Sequence, residues 1–348
     1  MSSSKPFRVS LTADFFDATG CLKYHDIGLA LLTSQPGIEV KQFQMHCAEV
    51  EPEQLANTEG AIVLSARVTA RSLSKSENLL AIVRFGVGFD SVDVAACSTN
   101  DVALFITAGA VDHSVAEATV GWMLALNHHM RIKDALVRTG QWEARNQYMG
   151  SELRDRRLGV IGFGGIGQAV VRLLSSFRMQ PPLVFDPFVA PAHIEAAGAV
   201  KASLDELMAQ ADFVSLHCPL NEHTRNLLGE RELSLMKPTA YLLNTARGGI
   251  VDEDALFAAL ADGRIAGAAL DCFSSEPITA PSRWSGLDNV ILAPHSIAWT
   301  DELFRDIGRC ACLAMLDLSQ RRWPLGLVNK ELLTRESFQE KWHRLTPV

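Results

Sequence analysis

The chain has 348 residues, enough for two domains that each bury a core. Its 48% hydrophobic and 21% charged content suits a folded globular protein, and a net charge of −8 argues against nucleic acid or an anionic membrane as the main partner. The apolar runs fall far short of the ~20 residues of a membrane span, and the opening MSSSKPFRVS has no apolar leader core, so a cytoplasmic location is expected. Seven scattered cysteines without a CxxC pair fit free thiols in a reducing compartment, with no metal site.

Short apolar runs alternate with helical patterns, the mark of an α/β protein with parallel sheets. In the first third the pattern predicts strands at 7–12, 38–43, 60–65, 81–86 and 102–106, with helices over 22–32 and 91–97. A long amphipathic helix is expected over 114–130. The series restarts at RLGVIGFGGIGQAVVRLL and continues with strands at LVFD, FVSLH, YLLNT, AGAALD and VILAP. Helix is expected again over 300–319, and the last segment, LTRESFQEKWHRLTPV, carries no assignment. Helices at both joins predict a discontinuous arrangement: residues 1–113 with 299–348 as one domain, and 114–298 inserted as the second.

The restart carries Gly162, Gly164 and Gly167 in GxGxxG spacing, between an incoming strand and an outgoing helix with Ala169, Val170, Leu173 and Leu174 apolar. That context separates a dinucleotide fingerprint from an ordinary glycine-rich turn. Gly162 permits the tight turn, Gly164 admits backbone N–H groups to a pyrophosphate, and Gly167 allows close helix–strand packing. The helix N-terminus then faces the phosphates. Asp186 ends the next strand, about 20 residues on, where a carboxylate holds ribose hydroxyls and repels a 2′-phosphate. NAD is therefore the expected cofactor, in a Rossmann-like domain.

Polar groups also collect at strand ends. Arg247 closes YLLNT, Asp271 closes AGAALD, Glu276 lies in the loop beyond it, and His295 follows VILAP. Open α/β sheets bind ligands at those carboxyl ends. For His295 alone, a structural histidine is as good a reading as a catalytic one; the constellation favours chemistry. His217 closes FVSLH and can line a nucleotide crevice without reacting.

In family order, GSELRDRRLGVIGFGGIG, FDP, LHCPLNEHTRNLL, LLNTARGGIVDEDAL, GAALDCFSSEP and LAPHSIAWT resemble the D-isomer-specific 2-hydroxyacid dehydrogenases. The resemblance implies that Arg247 holds the substrate's carboxylate and carbonyl, His295 is the acid/base, and Glu276 orients its ring and stabilises imidazolium. It implies that Gly162, Gly164, Gly165, Ile166, Gly167, Asp186, His217, Pro219, Thr224, Thr245, Ala246, Asp271 and His295 contact NAD. It further implies that Leu64, Ser65, Val87 and Gly88 join Arg247 and His295 on the substrate, and that a homodimer forms near 114–150.

Departures bear on the substrate. Leu64 stands where phosphoglycerate enzymes carry a phosphate-binding arginine, with Arg67 and Arg84 as nearby cations. Ser91 replaces a common asparagine, and TAGAVDHSVAE departs from the family's TPGANxxSVAE. Asp112 is expected to cap the following helix. The expected activity is NAD-linked hydride transfer at C2 of a small or sugar-derived, non-phosphorylated D-2-hydroxy or 2-oxo acid. The alternatives are an NAD-sensing, corepressor-like regulator of the same fold and a D-3-phosphoglycerate dehydrogenase.

Overall fold

The computed structural model describes residues 5–346. The chain divides into two compact units: one runs to Val111 and resumes at Trp299, and the other is Asp112–Ala298.

The first unit is built on five parallel strands: β1 (Phe7–Leu11), β2 (Ile38–Gln42), β3 (Gly60–Val63), β4 (Ala81–Arg84) and β5 (Ala103–Ile106), in the order β2-β1-β3-β4-β5. Its central strands are almost wholly apolar and buried, as a parallel sheet covered on both faces requires. The helix Asp301–Ser319 packs on this unit through Leu303, Phe304, Ile307, Ala311 and Met315.

The second unit carries β6 (Arg157–Ile161), β7 (Gln180–Phe185), β8 (Val200–Lys201), β9 (Phe213–Leu216), β10 (Tyr241–Asn244), β11 (Gly267–Leu270) and β12 (Val290–Leu292). They form one parallel sheet, β12-β11-β10-β9-β6-β7-β8. One apolar core includes Leu207, Leu233, Leu256 and Leu260; the opposite one includes Trp122, Met123, Val170 and Leu174. The chain winds outward both ways from β6, so the crevice beyond β6 and β9 is the switch point where such sheets take ligands. Two parallel α/β sheets are thus the architecture that the alternating pattern predicts.

Three local expectations differ. No helix spans 22–32; only Ala30–Thr33 is helical. Gly28 has φ 72°, Asp26 accepts its N–H at 2.7 Å, and its Cα lies against the Arg309 backbone, so the chain turns there. The helix expected over 114–130 runs Asp112–Asn127, then breaks at His129 (φ 52°) before a second helix, Met130–Arg138. Asp112 makes no capping hydrogen bond among the described residues; its carboxylate lies against Gly165.

The unassigned C-terminal segment contains a helix, Glu336–Leu345, that buries Phe338 and Trp342 on the first unit. Trp342 Nε1 donates to the Leu318 carbonyl at 2.8 Å, and Lys341 Nζ donates to the carbonyls of Ser76, Asn100 and Asp101. Trp323 packs between Phe338 and Trp342.

Candidate active site

In the second unit the glycine turn, Asp186, His217, Pro219, Thr245, Ala246, Arg247, Asp271 and His295 follow the carboxyl ends of strands along one sheet edge, while Thr224 and Glu276 lie further out in loops. The turn from β6 enters the helix Gly165–Leu174. Gly162 has φ 91°, and a Cβ there would strike the backbone of His217 and Cys218; one on Gly167 would strike the Gly162 carbonyl. Gly164 faces open space. As N-cap it supplies no side chain to the helix's first N–H groups, so the donors of Gly165 and Ile166 suit an anion.

Asp186, just past β7, closes this cradle. Its Oδ2 accepts from Phe163 N at 2.8 Å and its Oδ1 from Phe188 N at 2.9 Å and Val189 N at 3.2 Å. The carboxylate is held rigidly beside the glycine loop. Beyond β9, His217 Nε2 shares a 2.9 Å hydrogen bond with Ser215 Oγ, and its enclosed Nδ1 has no protein partner. Burial pushes this imidazole down to about 4, so it is neutral at ordinary pH. Pro219 offers its carbonyl to Thr224 Oγ1 at 2.6 Å, which folds the following loop. Thr245 Oγ1 lies 3.4 Å from Thr119 Oγ1. An open glycine, a helix N-terminus without a side-chain cap, a fixed acid and an orphaned ring nitrogen together fit a dinucleotide.

The remaining polar groups cluster beyond β10, β11 and β12. Asn244 ties the Arg247 turn, accepting from Ala246 N at 3.0 Å and donating to the Arg247 carbonyl at 2.8 Å. Arg247 Nη1 donates to the Ala246 carbonyl at 2.7 Å. Gly248 lets the backbone of Phe273 approach where a Cβ would collide, so the loop bearing Glu276 packs onto the arginine's own turn. Glu253 fastens that loop from below, accepting from Ser274 N at 2.6 Å.

Asp271 is buried and organises the histidine turn. Its carbonyl accepts from His295 N at 2.8 Å, and its Oδ1 from Ser296 N at 2.8 Å and Ile297 N at 3.2 Å. Burial raises its carboxyl above the usual range, against the pull of those two N–H groups. His295 itself has φ 52°, which turns its ring out of the strand direction. His295 Nδ1 lies 2.8 Å from Glu276 Oε2, while Glu276 Oε1 accepts from Phe273 N at 2.8 Å. Burial would raise the Glu276 carboxyl, but the His295 and Phe273 hydrogen bonds and the charges of His295 and Arg247 outweigh it and hold it low. An ionised carboxylate fixes one ring nitrogen and leaves the other for proton exchange.

The substrate-binding candidates of the first unit also follow strand ends. Leu64 N donates to Thr12 Oγ1 at 3.1 Å, Ser65 N donates to Asp14 Oδ2 at 2.9 Å, and Val87 and Gly88 occupy the turn after β4. Sequence reasoning gave no role to Asp14, Asn244 and Glu253, which act through backbone groups, although Asn244 and Glu253 stand within LLNTARGGIVDEDAL. It also passed over the buried Cys272, whose sulfur lies in a group with Glu276 and His295 in which all ligand atoms are within 4.8 Å of one another.

A glycine cradle with a fixed acid, beside an arginine and a carboxylate-paired histidine, defines a dinucleotide-dependent oxidoreductase. The family model "D-isomer specific 2-hydroxyacid dehydrogenase, NAD binding domain" matches residues 120–296. A glyoxylate reductase of Thermofilum pendens is 36% identical over 276 residues, covering 78% of this chain and 81% of its own. An (S)-sulfolactate dehydrogenase of Chromohalobacter salexigens is 41% identical over 238 residues, 68% of this chain and 76% of its own. Among solved structures, a D-lactate dehydrogenase of Aquifex aeolicus complexed with NAD and lactic acid superimposes with a TM-score of 0.78 at 27% identity, covering 93% of this chain and 97% of that one. The chain belongs to the D-isomer-specific 2-hydroxyacid dehydrogenase family and is an NAD-dependent oxidoreductase. Among the described residues, no helix is long and apolar enough to cross a membrane.

Proposed function

We propose that Arg247, Glu276 and His295 carry the reaction on a small, non-phosphorylated 2-oxo or D-2-hydroxy acid. The observation that carries this reading is the 2.8 Å pair between His295 Nδ1 and Glu276 Oε2, on a loop packed against the Arg247 turn. Bound NAD(H) supplies or accepts the hydride. Arg247 grips the substrate carboxylate with its planar fork. His295 donates a proton to the C2 oxygen in reduction and takes it back in oxidation, while Glu276 holds the ring in place. Asp271 and Thr245 orient the nicotinamide end, the Gly162–Gly167 turn and Asp186 hold the rest of the dinucleotide, and His217, Pro219, Thr224 and Ala246 line its crevice.

A non-phosphorylated substrate is favoured by the cations of the first unit. Arg67 is ion-paired with Glu49 at 3.5 Å, Arg84 donates to the Phe85 carbonyl, and Leu64 offers no charge. Leu64, Ser65, Val87 and Gly88 remain the substrate-binding candidates there, on the strength of the resemblance. The relatives named for glyoxylate and sulfolactate point to a short acid. We assign substrate binding to residues 1–113 with 299–348, NAD binding to 114–298, and a cytoplasmic location.

A homodimer formed near 114–150 is supported by Val137, Trp142 and Met149, exposed at 63%, 59% and 79% in one segment. Sedimentation at micromolar concentration is expected to give twice the monomer mass, and a monomer defeats the assignment. For the activity, the test is a spectrophotometric screen of D-2-hydroxy acids with NAD and of their 2-oxo partners with NADH. Turnover of at least one short acid, abolished by His295→Ala, is expected; an inert wild type across the panel sinks the reading.

A further inference from the structure

The acid/base chemistry uses Arg247, Glu276 and His295, and does not call on the thiol of Cys272. That thiol is a soft donor placed beside a borderline one and a hard one. The sulfur of Cys272, a ring nitrogen of His295 and a carboxylate oxygen of Glu276 all lie within 4.8 Å of one another. We propose that these three side chains form an inhibitory site for a zinc-type divalent transition-metal ion.

The framework is already organised. Cys272 directly follows Asp271, whose carbonyl accepts the His295 N–H at 2.8 Å, so the cysteine and histidine backbones are tied. Glu276 is held on the same loop by Phe273 N at 2.8 Å, and the Cys272 thiol donates to the Ala246 carbonyl at 3.4 Å, a hydrogen bond that metal binding replaces. Zinc bonds of about 2.0–2.3 Å set ligand atoms roughly 3.3–3.8 Å apart, so closure by about 1 Å completes the triangle. Rotation of the Glu276 and His295 side chains, which are 35% and 44% exposed, supplies that movement and keeps the site open to solvent.

A thiolate, imidazole and carboxylate set selects zinc-type ions over magnesium or calcium, and three protein ligands leave a fourth position for water. On binding, the thiol proton passes to solvent and a sulfur–metal bond forms. The imidazole coordinates in its neutral form, and the Nδ1···Oε2 hydrogen bond is exchanged for metal ligation. No electron is transferred, so chelation reverses the event. The acid/base pair is then occupied and turnover stops. The inhibition rests on the catalytic roles proposed above; the binding does not.

The test uses the full chain titrated with ZnCl2 for turnover and with CoCl2 for absorbance. One metal ion per chain is expected, with turnover lost on zinc addition and restored by EDTA, and cobalt giving a thiolate-to-metal charge-transfer band in the near ultraviolet. Cys272→Ala is expected to keep its basal turnover, lack the band, and need about 30-fold or more zinc for the same inhibition. If packing at this buried position lowers turnover in that variant, Cys272→Val carries the comparison. Equal zinc sensitivity in wild type and variant overturns the proposal, as does an absent band, or cysteine-bound metal with full turnover. A wild type inert to every acid but showing the cobalt band would defeat the reaction assigned above and the inhibition with it, while leaving the metal site standing.

Discussion

Gly248 lies so close to the Phe273 backbone that no side chain fits between them. This contact joins two strand-end turns, one carrying Arg247 and the other Glu276. Gly248→Ala is expected to push the loop away, lowering kcat/KM by about 100-fold and stability by about 1–3 kcal/mol. NADH binding, followed by fluorescence titration, is expected to weaken less than kcat/KM, because only the nicotinamide end rests on the turns of Thr245, Ala246 and Asp271 while the glycine cradle lies elsewhere in the sheet. Wild-type kinetics in this variant would show that the loop contact does not position the site.

Arg247→Lys keeps the charge and loses the fork. The expected result is a rise in KM for the 2-oxo acid and a fall in kcat, together about 100-fold or more in kcat/KM, with NADH affinity unchanged. Steady-state kinetics at varied acid concentration checks this. A lysine variant with native kcat/KM would mean that the carboxylate is held elsewhere.

Glu276→Gln removes the carboxylate that faces His295 Nδ1 at 2.8 Å. Its hydrogen bonds and the neighbouring positive charges keep that carboxyl low and ionised, so it fixes one ring nitrogen and leaves the other for proton exchange. The variant is expected to reduce substrate about 10–100-fold more slowly, with NADH affinity kept. A native kcat in this variant would leave Glu276 a merely structural role.

His217 makes stability depend on pH. Burial lowers its folded value from 6.5 to about 4, so the folded chain holds it neutral while the unfolded chain protonates. Its contribution is complete above pH 6.5 and is lost progressively as pH falls from 6.5 towards 4. Urea unfolding between pH 7 and 4.5 is expected to show a steeper decline in wild type than in His217→Gln. Parallel declines would mean that the ring titrates alike in both states.

The fingerprint at Gly162–Gly167 and the strand-end set of Arg247, Asp271 and His295 were legible without coordinates, because both follow from local rules. Apolar runs bounded by turn residues set the strands, and a parallel sheet gathers all their carboxyl ends on one edge. Break points were harder. Gly28 and His129 interrupt helical patterns through left-handed backbone and contacts distant in the chain, with Arg309 for Gly28 and with Tyr148 for His129.

The sequence by itself determined the α/β class, the glycine cradle and which residue types stand at the sheet edge, since these depend on spacing along the chain. Tertiary structure decided what those residues touch. That Asp112 lies on Gly165 instead of capping its helix, that Gly248 admits Phe273, and that a buried cysteine shares a triangle with Glu276 and His295 are all products of packing. Such contacts join segments far apart in the chain, and no local period or spacing encodes them.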